Sequence, residues 1–290
     1  MINGLRFIIG SGCNYDCFFC HHEGYEKKSS LEYDIKKLTT LKKFAVEQGI
    51  KDISITGGEP FIYGEKLKEL LSVFNPQFFR ITLNTNASLI DEWKDYLKKM
   101  SKIEFHVNLS SLCKEKHISI IKRDYLERVV NNLKLLKELG HDVCLNIPVL
   151  NTINDDEIRE LFHFCIENQY KPRFLVLYDS NNNMEEFVLD VPEIMSKFKN
   201  AKISKSYSYG RYDISSEDGE FEIVRCLCAK HECEKCRNNT FIHFTPELNM
   251  KFCMESDEEI KIDYDDENGI EKGTKIFTKK LNYLVRKEKI

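Results

Sequence analysis

Eleven cysteines punctuate this 290-residue sequence, and eight of them fall in two groups whose spacing suits metal chemistry. Cys13, Cys17 and Cys20 form a C-x3-C-x2-C run directly after a short apolar stretch. Three thiolates on one tight loop can hold three irons of a cubane cluster and leave the fourth iron open to a ligand. A tetrahedral zinc site is the alternative, with His21 or His22 as its fourth ligand. The second group, Cys226, Cys228, Cys233, Cys236 and Cys253, offers five thiols. Zinc fits four of them, and so does a second iron–sulfur cluster. Cys113, Cys144 and Cys165 stand singly in apolar or helical patterns and read as small buried hydrophobes.

A glycine-rich turn adds to the first group. Gly57-Gly58-Glu59-Pro60 closes an apolar stretch thirty-seven residues after Cys20. Two glycines permit close backbone approach to a ligand, and a carboxylate with free carbonyls can receive an ammonium group. Thr85, Asn86 and Ser110 follow two further apolar stretches, and Asn146 and Arg173 lie in others. Each of these, taken singly, is a strand-end hydrogen-bonding residue. His21, His22, His106 and His117 read as structural or surface residues, since nothing pairs them with a nucleophile.

The elements that must position these residues alternate between strands and helices from residue 5 to about 180, the pattern of a parallel α/β fold. The strands expected are 5–10, 52–56, 78–83, 103–109, 143–149 and 173–178. A capping box at Ser29–Glu32 opens a helix with Leu31, Ile35, Leu38, Leu41 and Ala45 on one stripe, ended by Gly49. A second helix is expected over 118–139, with Leu126, Val129, Val130, Leu133 and Leu136 inward. A third starts at Asn154–Glu157 and buries Ile158, Leu161, Phe162, Cys165 and Ile166. Six such units are too few for a closed eight-stranded barrel, so the expectation is an open partial (βα)6 barrel of the TIM type. Its chemistry belongs at the C-terminal strand ends. After Asn181–Asn183 the pattern changes, which divides the chain into a barrel over 1–180 and a small cysteine-rich domain over 181–290. The acidic run 255–267 reads as a surface loop with an Asn-Gly turn at 268–269, and 275–290 as a closing helix.

Composition narrows the classes of partner. With 42% hydrophobic and 31% charged residues and a net charge of −4, nothing here offers the basic field that nucleic acid or an anionic membrane would need. The N-terminus reads as a first strand and not as a signal peptide, and no apolar run is long enough to span a bilayer. A cytoplasmic, reducing location follows as the expectation, and it disfavours a disulfide framework.

The C-x3-C-x2-C run with Phe19 before its third cysteine, together with Gly57–Pro60, resembles the signature of the radical S-adenosylmethionine (SAM) superfamily. The resemblance implies a 4Fe–4S cluster on Cys13, Cys17 and Cys20 that binds SAM. It also implies an external reductant such as flavodoxin or ferredoxin, and hydrogen abstraction from a substrate by a 5′-deoxyadenosyl radical. Phe19, Gly57, Gly58, Glu59, Pro60, Thr85, Asn86, Ser110, Asn146 and Arg173 then become SAM-site residues, with Ala87 standing where the family has glycine.

Residues 143–158 and Pro172–Leu175 are also similar to the GTP cyclase of molybdenum-cofactor biosynthesis, whose small C-terminal domain carries a second cluster. That similarity implies a second 4Fe–4S cluster on Cys233, Cys236 and Cys253. Cys226 and Cys228 are additions to the pattern, one as a fourth ligand and the other as a hydrogen-atom donor. Phe241 and His243 occupy the positions of the cyclase's triphosphate-gripping arginines, and Val176 replaces a glutamate. The expectation is therefore cyclase-like chemistry on a substrate other than GTP. A maturase of a ribosomally made peptide is the rival, weakened because Cys13 leaves no room for a preceding peptide-recognition domain. A nucleic-acid modifier ranks third and a non-catalytic metal-binding module last.

Overall fold

The computed structural model describes residues 2–22, 25, 34–177, 184–207, 210–226, 241–251 and 258–287. Six strands run parallel and adjacent in chain order: β1 (Gly4–Ile8), β2 (Asp52–Thr56), β3 (Arg80–Thr85), β4 (Glu104–Asn108), β5 (Asp142–Val149) and β6 (Lys171–Val176). Side chains along them alternate between two faces. One row, including Phe7, Ile55, Leu83, Phe105, Leu145 and Phe174, is buried in the core. The other row is mostly polar, and it is the face left for chemistry.

Helices cover the apolar row: α1 (Ile35–Glu47), α2 (Glu65–Val73), α3 (Lys94–Leu97), α4 (Lys114–Ile121), α5 (Leu126–Glu138) and α6 (Ile158–Glu167). Leu38, Leu41 and Ala45 of α1 and Leu161, Phe162 and Cys165 of α6 are fully buried. Burying each of the larger side chains contributes about 1.5–3 kcal/mol.

The C-terminal segment extends this same sheet at both edges. It supplies α7 (Val191–Ser196), the antiparallel meander β7 (Lys202–Tyr207), β8 (Arg211–Ser216) and β9 (Gly219–Arg225), then β10 (Phe241–Phe244), β11 (Met250–Lys251), β12 (Glu259–Ile260) and α8 (Gly269–Lys287). β9 pairs parallel with β6, and β10 parallel with β1. Eight parallel strands thus lie side by side where six were expected, within a twelve-stranded sheet whose edges are β7 and β12.

Several boundaries differ from expectation for local reasons. The Ser29–Glu32 capping box lies outside the described residues; α1 starts at Ile35, capped by Asp34 Oδ1 accepting from Lys36 N at 2.9 Å. Ile35 itself is exposed, as is Ile166 in the last turn of α6. A turn closed by Phe78 N and Phe79 N on Asn75 O delays β3 to Arg80 and leaves Phe78 exposed. The helix expected over 118–139 breaks at Lys122, which takes a left-handed conformation (φ 60°). Asn154–Glu157 form turns, and α6 begins only at Ile158. Asn268-Gly269 leads directly into α8, six residues before the expected start. Among the described residues no helix is long and apolar enough to cross a membrane.

Candidate active site

The loop after β1 and the loop after β2 are zipped together by backbone. Gly58 N donates to Gly10 O at 2.7 Å and Glu59 N to Gly12 O at 2.8 Å. A Cβ on Gly58 would lie 1.9 Å from Gly12 O, and one on Gly57 (φ +136°) 2.5 Å from Gly10 O. The paired glycines therefore admit the cysteine-bearing loop itself at close range, in addition to any ligand. Tyr63 caps the contact, its hydroxyl accepting from Gly12 N at 2.7 Å.

This junction launches the cysteines. Cys13 and Cys20 are exposed and Cys17 is half-buried. Tyr15 N donates to Cys13 Sγ and His22 N to Cys20 Sγ, both at 3.4 Å, and Asn86 Nδ2 reaches Cys13 Sγ at 3.8 Å. His22 Nδ1 also lies 3.8 Å from Cys20 Sγ. Asp16 N and Phe18 N donate to Ile121 O and Ile120 O, laying the loop across the end of α4. Desolvation by the protein beneath, with the neighbouring thiols adding to it, pushes Cys13 up to about 11 and Cys17 up to about 12. Such thiols keep their protons until a metal's charge displaces them. Among the described residues no three His, Cys, Asp or Glu side chains converge on a single-ion site. Three thiols on one loop, two of them receiving N–H···S bonds, suit a cubane, which spreads its ligands over several irons.

Glu59 departs from expectation. Its carboxylate is buried and faces inward, Oε1 accepting from Thr85 Oγ1 (2.7 Å) and Phe61 N (3.1 Å), and Oε2 from Asn86 N (2.7 Å). Burial outweighs these bonds and raises it to about 7. The Glu59 carboxylate thus fastens its own turn to the loop after β3 and is not turned outward toward an ammonium group. Pro60 is buried and opens a short 3₁₀ turn, Pro60–Tyr63. Phe19 is half-buried, edge-on to Phe18. Asn86 Nδ2 also donates to Asn14 Oδ1 at 2.7 Å, so Thr85-Asn86 clasps the cysteine loop directly. Ala87, in the family's glycine position, holds a left-handed φ of 59°.

Ser110 is fully buried, its Oγ donating to Asn108 Oδ1 at 3.2 Å. Two residues that the sequence marks as a helix start, within the 143–158 stretch, hold its loop. Asn154 Nδ2 donates to Ser110 O at 2.6 Å, and Glu157 Oε2 accepts from Ser111 Oγ at 2.6 Å and Leu112 N at 3.2 Å. A polar pair between a strand and a helix was the one available signal for this role.

Deeper on the polar face, Arg173 is buried against Glu222 of β9, Nε to Oε2 at 2.7 Å. Its Nη1 donates to His106 Nδ1 at 3.0 Å and reaches Asn146 Oδ1 at 3.4 Å. His106 in turn meets Glu104 Oε1 through Nε2 at 2.9 Å. Burial, aided by Arg173, pushes His106 down to about 4 against the pull of Glu104, so the ring is neutral at pH 7. Burial alone would raise Glu222, but Arg173, Lys171 and Arg211 bring it down to about 2. His106, read as structural, is thus bonded to Arg173, and Glu222 carried no sequence signal. Cys144 and Cys165 are buried as expected, though Cys144 feels the charges of Arg173 and Glu222. Cys113 is not buried; its thiol donates to Glu115 Oε2 at 3.2 Å. Cys226 follows β9 and is half-buried, while Phe241 and His243 pair in register with Gly4 and Arg6. Cys228, Cys233, Cys236 and Cys253 lie outside the described residues.

Comparison with known proteins places this geometry. The GTP 3′,8-cyclase of Peptoclostridium acidaminophilum is 29% identical over 277 residues, covering 90% of this chain and 83% of the relative. That of Sulfurovum sp. is 26% identical over 272 residues, covering 90% and 82%. The structure of Streptococcus suis SuiB bound to the precursor peptide SuiA superposes with a TM-score of 0.67 at 16% identity. It covers 92% of this chain and 63% of SuiB, so the chain spans less than two thirds of that protein, and the likeness establishes the fold as an open α/β barrel. Residues 7–165 match the radical SAM superfamily. That span holds the three-cysteine loop and the glycine junction that clasps it, and with it the chain belongs to the radical SAM superfamily of enzymes.

Proposed function

We propose that this enzyme reductively cleaves SAM and abstracts hydrogen from a small or medium substrate to drive rearrangement or bond formation, on a compound other than GTP. A 4Fe–4S cluster on Cys13, Cys17 and Cys20 would supply the electron that breaks the S–C5′ bond of SAM. The observation that carries the reading is the glycine-to-glycine zip, which fixes Gly57–Pro60 and its carbonyls against the Gly10–Gly12 segment that leads into Cys13. Those carbonyls receive the SAM amine in place of Glu59. Asn86 holds the cysteine loop closed, and Ser110, Asn146 and Arg173 orient the rest of SAM from the polar face. Residues 1–180 carry this chemistry; residues 181–290 carry a second cluster on Cys233, Cys236 and Cys253 with Cys226 or Cys228. Flavodoxin or ferredoxin is the reductant.

The likeness to GTP 3′,8-cyclases supports the reaction type. Phe241 and His243, neutral or weakly basic beside Gly4 and Arg6, argue against a triphosphate. A peptide substrate is the second reading, supported by the superposition on SuiB with its precursor peptide. The test is 5′-deoxyadenosine formation by anaerobically reconstituted enzyme with dithionite, using SAM alone and SAM plus GTP. Slow cleavage unchanged by GTP is expected. A clear increase with GTP, accompanied by its consumption, would restore GTP as substrate, and no cleavage at all would remove the reading.

A further inference from the structure

We propose that Glu222 is a positioning residue for SAM binding: from β9, beyond the matched span, it fixes the Arg173 guanidinium in the orientation that meets the ligand. The inference rests on Arg173 being a SAM-contacting residue. Glu222 is 3% exposed, and Lys171, Arg173 and Arg211 all converge on its carboxylate. The first and last of these hold Oε1, leaving Oε2 to accept from Arg173 Nε at 2.7 Å. On its other side Arg173 is met by neutral His106, which accepts through Nδ1 because its Nε2 proton goes to Glu104. A hydrogen-bonded chain Glu104–His106–Arg173–Glu222 thus spans β4, β6 and β9. It holds the guanidinium at Nε and Nη1, while Nη2 makes no hydrogen bond to any described group. A planar fork held at two nitrogens presents its third at a fixed angle, so little rotamer freedom is lost when an anion arrives.

The test uses the reconstituted full chain and two readouts, equilibrium dialysis with radiolabelled SAM and 5′-deoxyadenosine kinetics. Glu222→Gln keeps the size and an acceptor but removes the charge. The expected result is a rise of about five-fold or more in both Kd and KM for SAM, with kcat within about two-fold. Arg173→Ala should give a similar rise, and the double variant should bind no more weakly than Arg173→Ala alone, because both changes act through one group. If Glu222→Gln does not accumulate as folded protein, Glu222→Asp, which shortens the arm and keeps the charge, should give the same KM-weighted loss. A variant that melts at lower temperature yet binds SAM as wild type does would overturn the proposal, as would additive losses in the double variant. Wild-type protein that binds no SAM would overturn the proposed function as well; wild-type binding with unaltered variants sinks this inference alone.

Discussion

Two regions of the molecule are built in different ways. The corner that carries the cysteines is chiefly a backbone construction, in which Gly57 and Gly58 press against Gly10 and Gly12. The wall on the polar face at β6, β8 and β9 is built from side-chain charges, with Lys171, Arg173 and Arg211 gathered on Glu222. The backbone junction tolerates no added atom, and buried Glu59 is a titrating partner of it. An ion cluster accepts changes of shape but depends on every charge in it.

The largest expected effect tests the corner. Gly58→Ala puts a methyl 1.9 Å from Gly12 O and 2.5 Å from Gly12 C, both backbone atoms that cannot swing aside. A loss on the order of 3–5 kcal/mol in urea unfolding is expected; a loss under about 1 kcal/mol would mean the junction yields. The wall should respond next. Glu222→Gln leaves three cations without their carboxylate and should cost about 3 kcal/mol at pH 7. Because Glu222 titrates near 2 in the fold against a usual 4.5, its stabilisation is present above 4.5 and is lost as pH falls toward 2. Urea melts at stepped pH should therefore show wild type and variant converging over that window. A gap that stays constant would assign the loss to packing instead of charge. The smallest effect returns to the corner. Ala87→Gly relieves a left-handed backbone but deletes a buried methyl, and the two should cancel to within about 0.5 kcal/mol. A loss above about 1 kcal/mol would show that the methyl contact dominates.

The same contrast governs what the sequence discloses. The cysteine spacing, Gly57–Pro60 and Thr85-Asn86 are local patterns, and the structure brings them together at one junction. The six central strands were legible because alternation and length mark them, with ends moved by two residues or so, as where the turn at Asn75 delays β3. What stayed hidden depends on pairing between distant residues. Nothing near Glu222 announces that it will meet Arg173, 49 residues earlier, and His106 looks ordinary until β6 lies two strands away. The attachment of β9 to β6 and β10 to β1 is likewise a property of the finished sheet. Glu59 misled because an acidic residue in a glycine turn suggests a ligand, whereas its carboxylate fastens its own turn to the loop after β3.

The recruitment of β10 beside β1 has a consequence for how the chain is made. β1 is made before every other strand described here, and β2 can pair with one side of it once residue 56 has been synthesised. Its other side, with Phe7 destined to stack on Phe244 at 5.4 Å, has no neighbour until residue 244 appears. For most of synthesis the nascent chain therefore carries an open strand edge beside an apolar ring, which is the kind of surface that invites intermolecular pairing. Closing it joins residues more than 230 positions apart, so the last step of folding is also among the slowest in kind.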